Sequence, residues 1–285
     1  MSESRILPMQ SLFLPSGAAM PRLGLGTWRM GESHASRPAE IAALRHGIAL
    51  GMTLIDTAEM YGEGGAETVV AEAIAPCRSS VFLVSKVYPH NASRQGAIAA
   101  CDRTLQRLGT NYLDLYLLHW RGNIPLAETL EAFQSLKTSG KILDFGVSNF
   151  DADDLNEAWA LPQGPDIAVN QVLYNLTRRG IEWDVLPWCR QHQIPIMAYS
   201  PIEQGRLLNH QALKAIAQER HATPAQIAIA WLLHQDGVIV IPKSASIERV
   251  AENRAALDLQ LTPAERSALD QAFPPPRQPI PLQML

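Results

Sequence analysis

One segment decides the fold: it reads VFLVSKV at residues 81–87, SRQGAIAACDRTLQRL at residues 93–108 and YLDLYLLH at residues 112–119. The first and third runs are almost continuously apolar, as strands are when both of their faces are buried in a parallel sheet. The middle run carries apolar residues at helical spacing, and Ser93 and Gly109 stand at its N-cap and C-cap positions. The segment therefore predicts a strand, a helix and a second strand parallel to the first.

The same alternation continues in both directions along the chain. Eight short apolar runs of strand length occur at Arg22–Thr27, Met52–Thr57, Val81–Val87, Tyr112–His119, Ile142–Ser148, Ile167–Leu173, Ile194–Ser200 and Gly237–Pro242. Helical patterns include Ala39–Leu50, Glu67–Ala75, Ser93–Leu108, Leu126–Ser139 and Asp151–Ala160, and Thr223-Pro224 marks a further helix start. Strands alternating with helices predict an α/β fold, either a closed barrel or an open doubly wound sheet.

The glycine spacing favours the barrel over the open sheet. An open dinucleotide-binding sheet carries Gly-x-Gly-x-x-Gly after its first strand, whereas Gly24 and Gly26 are next followed by Gly31. The chain shows no linker or low-complexity break, so we predict a single (β/α)₈ TIM barrel domain over residues 1–285. Two additions to the barrel are expected: an N-terminal β-hairpin at Ser11–Ala18, and an extra helix at Thr262–Ala272 before a proline-rich tail.

Composition excludes several classes of protein. A net charge of −4 gives no reason to expect a nucleic acid or an anionic membrane as a partner. Cys77, Cys101 and Cys189 lack metal-ligand spacing, so we expect three reduced thiols and no metal. Residues 1–20 lack the apolar core of a signal peptide, and no apolar run reaches the ~20 residues of a membrane span. The sequence therefore predicts a cytoplasmic protein.

Ionisable residues stand where the predicted strands end. In barrels of this type, active groups lie at the C-terminal ends of the strands. Asp56 and Tyr61 follow the second predicted strand, Lys86 ends the third, and His119 ends the fourth. A lysine in a buried strand needs a carboxylate partner or loses its charge, and Asp56 is one strand away. The pattern also allows a purely structural ion pair and a hydrogen-bonded core histidine.

These four residues and their contexts resemble the catalytic tetrad of the aldo-keto reductase superfamily. The resemblance covers almost the whole chain, with six matching motifs in order: MPRLGLGTW at 20–28, LIDTAEMY at 54–61, LLHW at 117–120, GVSN at 146–149, AYSP at 198–201 and IPKS at 241–244. Within that family the chain is most similar to bacterial reductases of methylglyoxal and related small carbonyls. The resemblance implies an NADPH-dependent reductase.

The chemistry of carbonyl reduction gives each of the four residues a role. The carbonyl oxygen needs a proton, and a phenol with an ordinary pKa near ~10 is a reluctant donor. The Lys86 ammonium stabilises the phenolate of Tyr61 and is expected to lower the pKa of that phenol, while Asp56 keeps Lys86 charged. His119 is expected to orient and polarise the carbonyl, and the hydride comes from the nicotinamide.

The resemblance also implies a set of NADPH-binding residues. Ser148, Asn149 and Gln171 are expected on the nicotinamide carboxamide and Tyr199 against the nicotinamide ring. The segment Ser200–Leu207 resembles a loop that covers the pyrophosphate. Lys243, Ser244 and Arg249 supply the charge-assisted donors that a 2′-phosphate requires, with Glu252 and Asn253 near the adenine. The full predicted set is Gly26, Thr27, Trp28, Asp56, Ser148, Asn149, Gln171, Tyr199, Ser200, Pro201, Ile202, Gly205, Leu207, Ile241, Pro242, Lys243, Ser244, Arg249, Glu252 and Asn253.

Four residues are expected to line the substrate pocket: Trp28, Tyr88, His119 and Trp120. The tail and the loop after Lys86 are short, unlike those that shape specificity in the larger animal members of the family. We therefore predict a monomeric enzyme that reduces small aldehydes, 2-oxoaldehydes such as methylglyoxal, and ketones to alcohols. Two alternatives stay open: an NADP-binding regulatory barrel with little turnover, and the same site oxidising alcohols.

Overall fold

Eight parallel strands form the centre of the protein, seen in a computed structural model that describes residues 10–285. They are β3 (Gly24–Gly26), β4 (Leu54–Asp56), β5 (Phe82–Val87), β6 (Leu113–Leu118), β7 (Ile142–Ser148), β8 (Ile167–Leu173), β9 (Ile196–Tyr199) and β10 (Val238–Val240). Each strand pairs with the next in chain order. Backbone bridges from Leu23 to Val240 and from Gly26 to Lys243 join the first strand to the last. The sheet is therefore a closed barrel, which confirms the predicted fold.

Ten α-helices surround this barrel within the described residues. They are α1 (Arg37–Ala49), α2 (Gly65–Ile74), α3 (Arg94–Leu108), α4 (Leu126–Thr138), α5 (Ala152–Trp159), α6 (Val185–Gln191), α7 (Gln211–Glu219), α8 (Pro224–Leu233), α9 (Ile247–Ala255) and α10 (Pro263–Ala272). Capping boxes at Asp151, Thr223 and Thr262 fix the starts of α5, α8 and α10, because each cap side chain accepts a backbone hydrogen bond three residues on. The extra C-terminal helix is therefore present as predicted.

An antiparallel hairpin covers the N-terminal end of the barrel. Its strands are β1 (Ser11–Phe13) and β2 (Ala19–Pro21), so it extends three residues beyond the predicted end. Leu14 and Met20 are buried in the same apolar cluster as the barrel interior. Ser16 Oγ donates a 2.7 Å hydrogen bond to Asp144 on β7. The hairpin is thus part of the core. The prediction that residues 1–20 contain no signal peptide concerns nine residues, 1–9, that lie outside the described part of the chain.

The period of two along each strand decides which side chains face the barrel interior. Leu54 on β4 and Val84 on β5 belong to the interior cluster, whereas Leu83 packs outward in the cluster that includes helix residues. Asp56 and Lys86 each stand two residues beyond an interior side chain, so they share its direction. The strands therefore place two charged groups at the top of an apolar interior.

Cys77, Cys101 and Cys189 are free, and burial raises the pKa of the Cys101 and Cys189 thiols to about 12. Within residues 10–285, His, Cys, Asp and Glu side chains form no cluster of three or more that could hold a metal ion. No helix over the same range has the length and apolarity to cross a bilayer.

Candidate functional site

A cavity of about 1010 Å³ opens at the C-terminal end of the barrel. Side chains from the strand ends form its floor, and the loops after β9 and β10 form its walls. Of the predicted site residues, the following line it: Gly26, Thr27, Trp28, Asp56, Tyr61, His119, Trp120, Ser148, Asn149, Gln171, Tyr199, Ser200, Pro201, Ile202, Gly205, Ile241, Lys243, Ser244, Arg249, Glu252 and Asn253. The barrel therefore gathers most of the predicted set around one space.

Four ionisable side chains meet at the floor of this cavity. Lys86 is fully buried, and its Nζ donates to Asp56 Oδ2 at 2.8 Å and to the Thr57 carbonyl at 2.9 Å. The same ammonium lies 3.2 Å from the Tyr61 hydroxyl. The Tyr61 and His119 rings meet edge to face, with centroids 5.7 Å apart. The structure thus brings together the four residues that the sequence predicted as a group.

Burial shifts the pKa values of the tyrosine and the lysine in opposite directions. Burial, with a smaller contribution from Asp56, raises the pKa of Tyr61 well above its ordinary value. Burial lowers the pKa of Lys86, and the Asp56 carboxylate opposes that shift. The expected lowering of the Tyr61 pKa is therefore wrong for this structure, because burial and the Asp56 charge both raise it. A Tyr61 hydroxyl with a raised pKa keeps its proton at neutral pH.

His119 is neutral at every physiological pH. Burial, reinforced by the nearby Lys86 ammonium, lowers the pKa of His119 to about 2. Within residues 10–285 its Nδ1 has no hydrogen-bond partner, and its backbone carbonyl accepts from Asn149 Nδ2 at 3.0 Å. A neutral imidazole can donate one N–H to a ligand without adding charge beside the ammonium.

This shift predicts a loss of stability in mild acid. Because the folded state resists protonating His119, the unfolded state alone takes up a proton as pH falls below about 6.5. The contribution of His119 is present above that pH and falls by about 2 kcal/mol between pH 7 and pH 5. Urea unfolding at pH 7 and at pH 5 checks this for the wild type and His119→Asn. The variant should lose about 2 kcal/mol less than the wild type over this interval, and equal losses would contradict the neutral buried imidazole.

Amide side chains tie the floor of the cavity together. Gln171 Nε2 donates to Asp56 Oδ1 at 2.7 Å, so its amide nitrogen is committed to the carboxylate that holds Lys86. Asn149 Oδ1 accepts from the Tyr199 hydroxyl at 2.9 Å, and Asn149 Nδ2 lies 3.2 Å from Ser148 Oγ. Asn149 adopts a φ of 57°, a left-handed conformation that asparagine tolerates better than most residues. These bonds orient the polar groups that a ligand in the cavity would meet.

The far end of the cavity is basic. Lys243 follows β10, and Arg249 lies in the first turn of α9, where Ser246 Oγ accepts from the Arg249 backbone N–H at 3.3 Å. Ser244 Oγ accepts from the Ser246 backbone N–H at 3.1 Å. Burial lowers the pKa of Lys243, with Glu40 opposing. Two cations, two hydroxyls and a helix N-terminus therefore converge on one end of the space, which suits an anion.

Four predicted residues do not line the cavity. Lys86 lies behind Asp56 and Tyr61, and Pro242 uses its carbonyl to accept the Gly26 N–H. Leu207 is buried in the outer apolar cluster. The ring of Tyr88 instead packs against the rings of His90 and Trp120. The Glu59 carboxylate accepts the Tyr88 backbone N–H at 2.8 Å and so fixes the position of that loop.

The sequence did not predict eight residues of the lining: Arg29, Met60, Leu208, Ala225, Ala245, Ser246, Met284 and Leu285, whereas Gln204 lies in the predicted loop Ser200–Leu207. Met284 and Leu285 show that the short tail does return to the site. Arg179 anchors the tail by donating to the Phe273 carbonyl at 2.6 Å, and the absence of a side chain on Gly180 leaves room for Ile280. These contacts join distant segments and carry no local sequence signal.

The fold and the site define a class of protein with known members. The Aldo/keto reductase family profile matches residues 22–273, and the chain belongs to that family. It is 52% identical over 272 residues to methylglyoxal reductase YeaE of Escherichia coli (strain K12), covering 94% of this chain and 96% of that protein. It is 33% identical over 262 residues to the glyoxal reductase of Bacillus subtilis (strain 168), covering 90% of each.

Solved structures agree with the family assignment. The crystal structure of an aldo/keto reductase from Klebsiella pneumoniae in complex with NADP and acetate superposes with a TM-score of 0.95 at 50% identity. The match covers 97% of this chain and all of that one. A second Klebsiella pneumoniae structure, in complex with NADPH, matches with the same TM-score and identity and covers 98% of this chain. The predicted family and fold are confirmed.

Proposed function

We propose that this enzyme uses NADPH to reduce small aldehydes, 2-oxoaldehydes such as methylglyoxal, and ketones to alcohols. The observation that carries the proposal is the Tyr61 hydroxyl at the floor of the cavity, 3.2 Å from a fully buried ammonium. The names of the relatives, a methylglyoxal reductase and a glyoxal reductase, support the substrate class. The neighbours crystallised with NADP and NADPH support the cofactor.

The donor set of the cavity fits NADPH. The space is about 1010 Å³ and runs from amide groups at Asn149 and Gln171 to cations at Lys243 and Arg249. A dinucleotide has this polarity, with a carboxamide at one end and a phosphate on the adenosine ribose at the other. When bound, NADPH supplies the hydride that no side chain can deliver.

The four residues at the floor handle the proton. Tyr61 donates its hydroxyl proton to the carbonyl oxygen as negative charge develops there. The Lys86 ammonium compensates the phenolate that this leaves, and Asp56 keeps Lys86 charged in an apolar setting. His119, neutral, donates an N–H to the carbonyl oxygen and orients it. Because Lys86 is buried behind both partners, water does not compete for its charge.

The cofactor assignment follows the lining of the cavity. Asn149, Gln171 and Ser148 would hold the carboxamide, and Tyr199 would stack on the nicotinamide ring. The remaining proposed contacts are Gly26, Thr27, Trp28, Asp56, Ser200, Pro201, Ile202, Gly205, Ile241, Lys243, Ser244, Arg249, Glu252 and Asn253. Leu207 and Pro242 would support this wall from behind.

Removing one cation from the basic end should weaken NADPH selectively. Lys243→Ala or Arg249→Ala loses a charge-assisted contact to the 2′-phosphate, worth about 1.5–3 kcal/mol or roughly ten- to a hundred-fold in affinity. NADH lacks that phosphate, so its affinity should change little. Fluorescence titration of both cofactors checks the prediction, and an equal loss for NADPH and NADH would contradict the 2′-phosphate assignment.

The substrate series tests the proposed reaction. Trp28, Trp120, Met284 and Leu285 offer apolar walls with few polar anchors, so turnover must depend on the intrinsic reactivity of the carbonyl. A neighbouring carbonyl makes an aldehyde more electrophilic, and kcat/KM should therefore rank 2-oxoaldehydes above simple ketones. A steroid or long sugar ketone whose kcat/KM exceeded that of methylglyoxal by about ten-fold would reveal further polar anchors in the pocket and contradict this substrate class.

We also propose that the enzyme works as a monomer in the cytoplasm. The free cysteines at positions 77, 101 and 189 suit a reducing compartment. Light scattering coupled to size exclusion would test the oligomeric state directly.

A further inference from the structure

One wall of the cavity is a loop in which the side chain of Glu203 points away from the cavity. The loop follows β9 and continues through the 3₁₀ segment Glu203–Asn209. Ile202 and Gln204, on either side of Glu203, line the cavity, but Glu203 does not. Its side chain is nevertheless buried, with 4% of the residue exposed. Glu203 therefore holds this wall from behind.

The Glu203 carboxylate joins the loop to the segment after β8. Asn175 Nδ2 donates to Glu203 Oε2 at 2.8 Å, and Arg178 donates to Oε1 through two nitrogens at 2.8 and 3.1 Å. Arg206, from the loop itself, also donates to Oε1 at 2.9 Å. Asn175 is fully buried and makes a second bond, to the Ser200 carbonyl at 2.9 Å. We call Glu203, Asn175 and Arg178 the latch.

The backbone of the loop needs this support. Ser200, Glu203 and Gln204 have φ values of 49°, 49° and 55°, and Gly205 has 88°. Left-handed conformations are unfavourable for residues other than glycine and persist only where surrounding contacts impose them. The latch bonds tie this stretch to the segment after β8, at Glu203 itself and at the Ser200 carbonyl, while Leu207 packs the same stretch on the outer apolar cluster. Without them, the loop would keep the apolar packing of Leu207 but would lose its polar attachment at Ser200 and Glu203.

The latch is charged under working conditions. Burial acts to raise the pKa of Glu203, but hydrogen bonds from Arg178 and Asn175 together bring that pKa below its ordinary value. The carboxylate therefore stays ionised at neutral pH and keeps its two-nitrogen contact with the Arg178 guanidinium.

We propose that Glu203 is a positioning residue for the cofactor: its latch holds the loop over bound NADPH and so sets how fast NADPH leaves. The proposal rests on the proposed cofactor site, in which this loop covers the pyrophosphate. Because NADPH and NADH share the pyrophosphate, the latch should act on both. This separates Glu203 from Lys243 and Arg249, which are proposed to act on the 2′-phosphate alone.

The test replaces the carboxylate by an amide of the same size. Glu203→Gln should weaken both NADPH and NADH by about ten-fold or more, because charge-assisted bonds in the latch are lost. The loss should appear mainly as faster dissociation in stopped-flow displacement. The KM for NADPH should rise, while kcat at saturating NADPH is retained or increases. Arg178→Gln, a change at a partly exposed residue, removes the same ion pair and should give the same pattern.

Asp144→Asn is the matched control. Asp144 is also a buried carboxylate, paired with Lys137 at 3.1 Å and Ser16 at 2.7 Å, but it lies near the opposite end of β7 from the cavity. It should lower the thermal unfolding midpoint and leave both cofactor affinities and dissociation rates unchanged. A merely structural role for Glu203 would make the two variants behave alike.

The outcomes separate the latch from the site that it serves. Wild-type affinity and dissociation in both Glu203→Gln and Arg178→Gln would overturn the latch, as would an equal loss of cofactor affinity in Asp144→Asn. If Lys243→Ala weakens NADPH while the latch variants do not, the cofactor site stands and the latch fails. If the latch variants release both cofactors faster while Lys243→Ala and Arg249→Ala retain full NADPH affinity, the latch stands and the 2′-phosphate assignment fails.

Discussion

Replacing Tyr61 by Phe is expected to lower kcat/KM for carbonyl reduction by about 10²–10⁴-fold and to leave NADPH affinity close to that of the wild type. The hydroxyl is the group at the cavity floor that carries a transferable proton beside a compensating cation, 3.2 Å from Lys86 Nζ. The phenyl ring keeps the edge-to-face contact with His119, so the shape of the floor is preserved. Steady-state kinetics with methylglyoxal and fluorescence titration of NADPH measure the two effects separately.

Tyr112→Phe is the matched control for that substitution. The Tyr112 ring stacks with the Arg78 guanidinium just before β6, at the end of the barrel opposite the cavity, and should be neutral for turnover. Near-normal turnover in Tyr61→Phe would remove Tyr61 from the proposed mechanism. A large loss of NADPH affinity in that variant would instead make Tyr61 a cofactor contact.

Lys86→Met should reduce both turnover and stability. Without the ammonium, the phenolate of Tyr61 has no compensating charge, and we expect kcat to fall by about a hundred-fold or more. Among residues 10–285, the hydrogen bond that remains to the buried Asp56 carboxylate is then the one from Gln171, at 2.7 Å. Breaking a buried pair in this way typically costs about 3–5 kcal/mol of unfolding free energy. Denaturant unfolding and steady-state kinetics on the same preparation check both effects.

The double variant Lys86→Met/Asp56→Asn separates the two effects. Removing both charges takes away the uncompensated carboxylate, so part of the lost stability should return. Turnover should stay low, because the cation beside Tyr61 is still missing. A double variant that regained wild-type turnover would show that Lys86 serves stability alone, which is the structural ion-pair interpretation of the sequence.

The strands could be predicted because a strand that is buried on both faces is a continuous apolar run in the sequence. The predicted runs Ile142–Ser148 and Ile167–Leu173 coincide with β7 and β8. The runs Arg22–Thr27 and Gly237–Pro242 are twice as long as the three-residue strands β3 and β10. The isolated bridges that close the barrel involve Leu23, just before β3, and Lys243, just after the second run, and apolar patterning does not distinguish a bridge from a ladder.

The residues at the floor of the site were predictable from the topology of the barrel, whereas several residues of its walls were not predictable. Asp56 and Lys86 occupy strand ends, which the barrel brings together whatever the loops do. The positions of Met284 and Leu285 depend on Arg179 reaching the Phe273 carbonyl, 94 residues away in sequence. The conformation around Glu203 depends likewise on a segment 25–28 residues earlier. Such contacts follow from packing between distant segments and leave no periodic signal.

We propose that this barrel transfers a hydride and does not merely bind a nucleotide, as an NADP-binding regulatory barrel would. The direct measurement uses NADPH deuterated on the transferable position of the nicotinamide, with methylglyoxal as acceptor and mass spectrometry of the product. We predict one deuterium on the new alcohol carbon for each NADPH consumed in the wild type, and a rate of transfer reduced by about 10²-fold or more in Tyr61→Phe. Tight NADPH binding with no deuterium in any product, across methylglyoxal and a panel of aldehydes and ketones, would contradict the account.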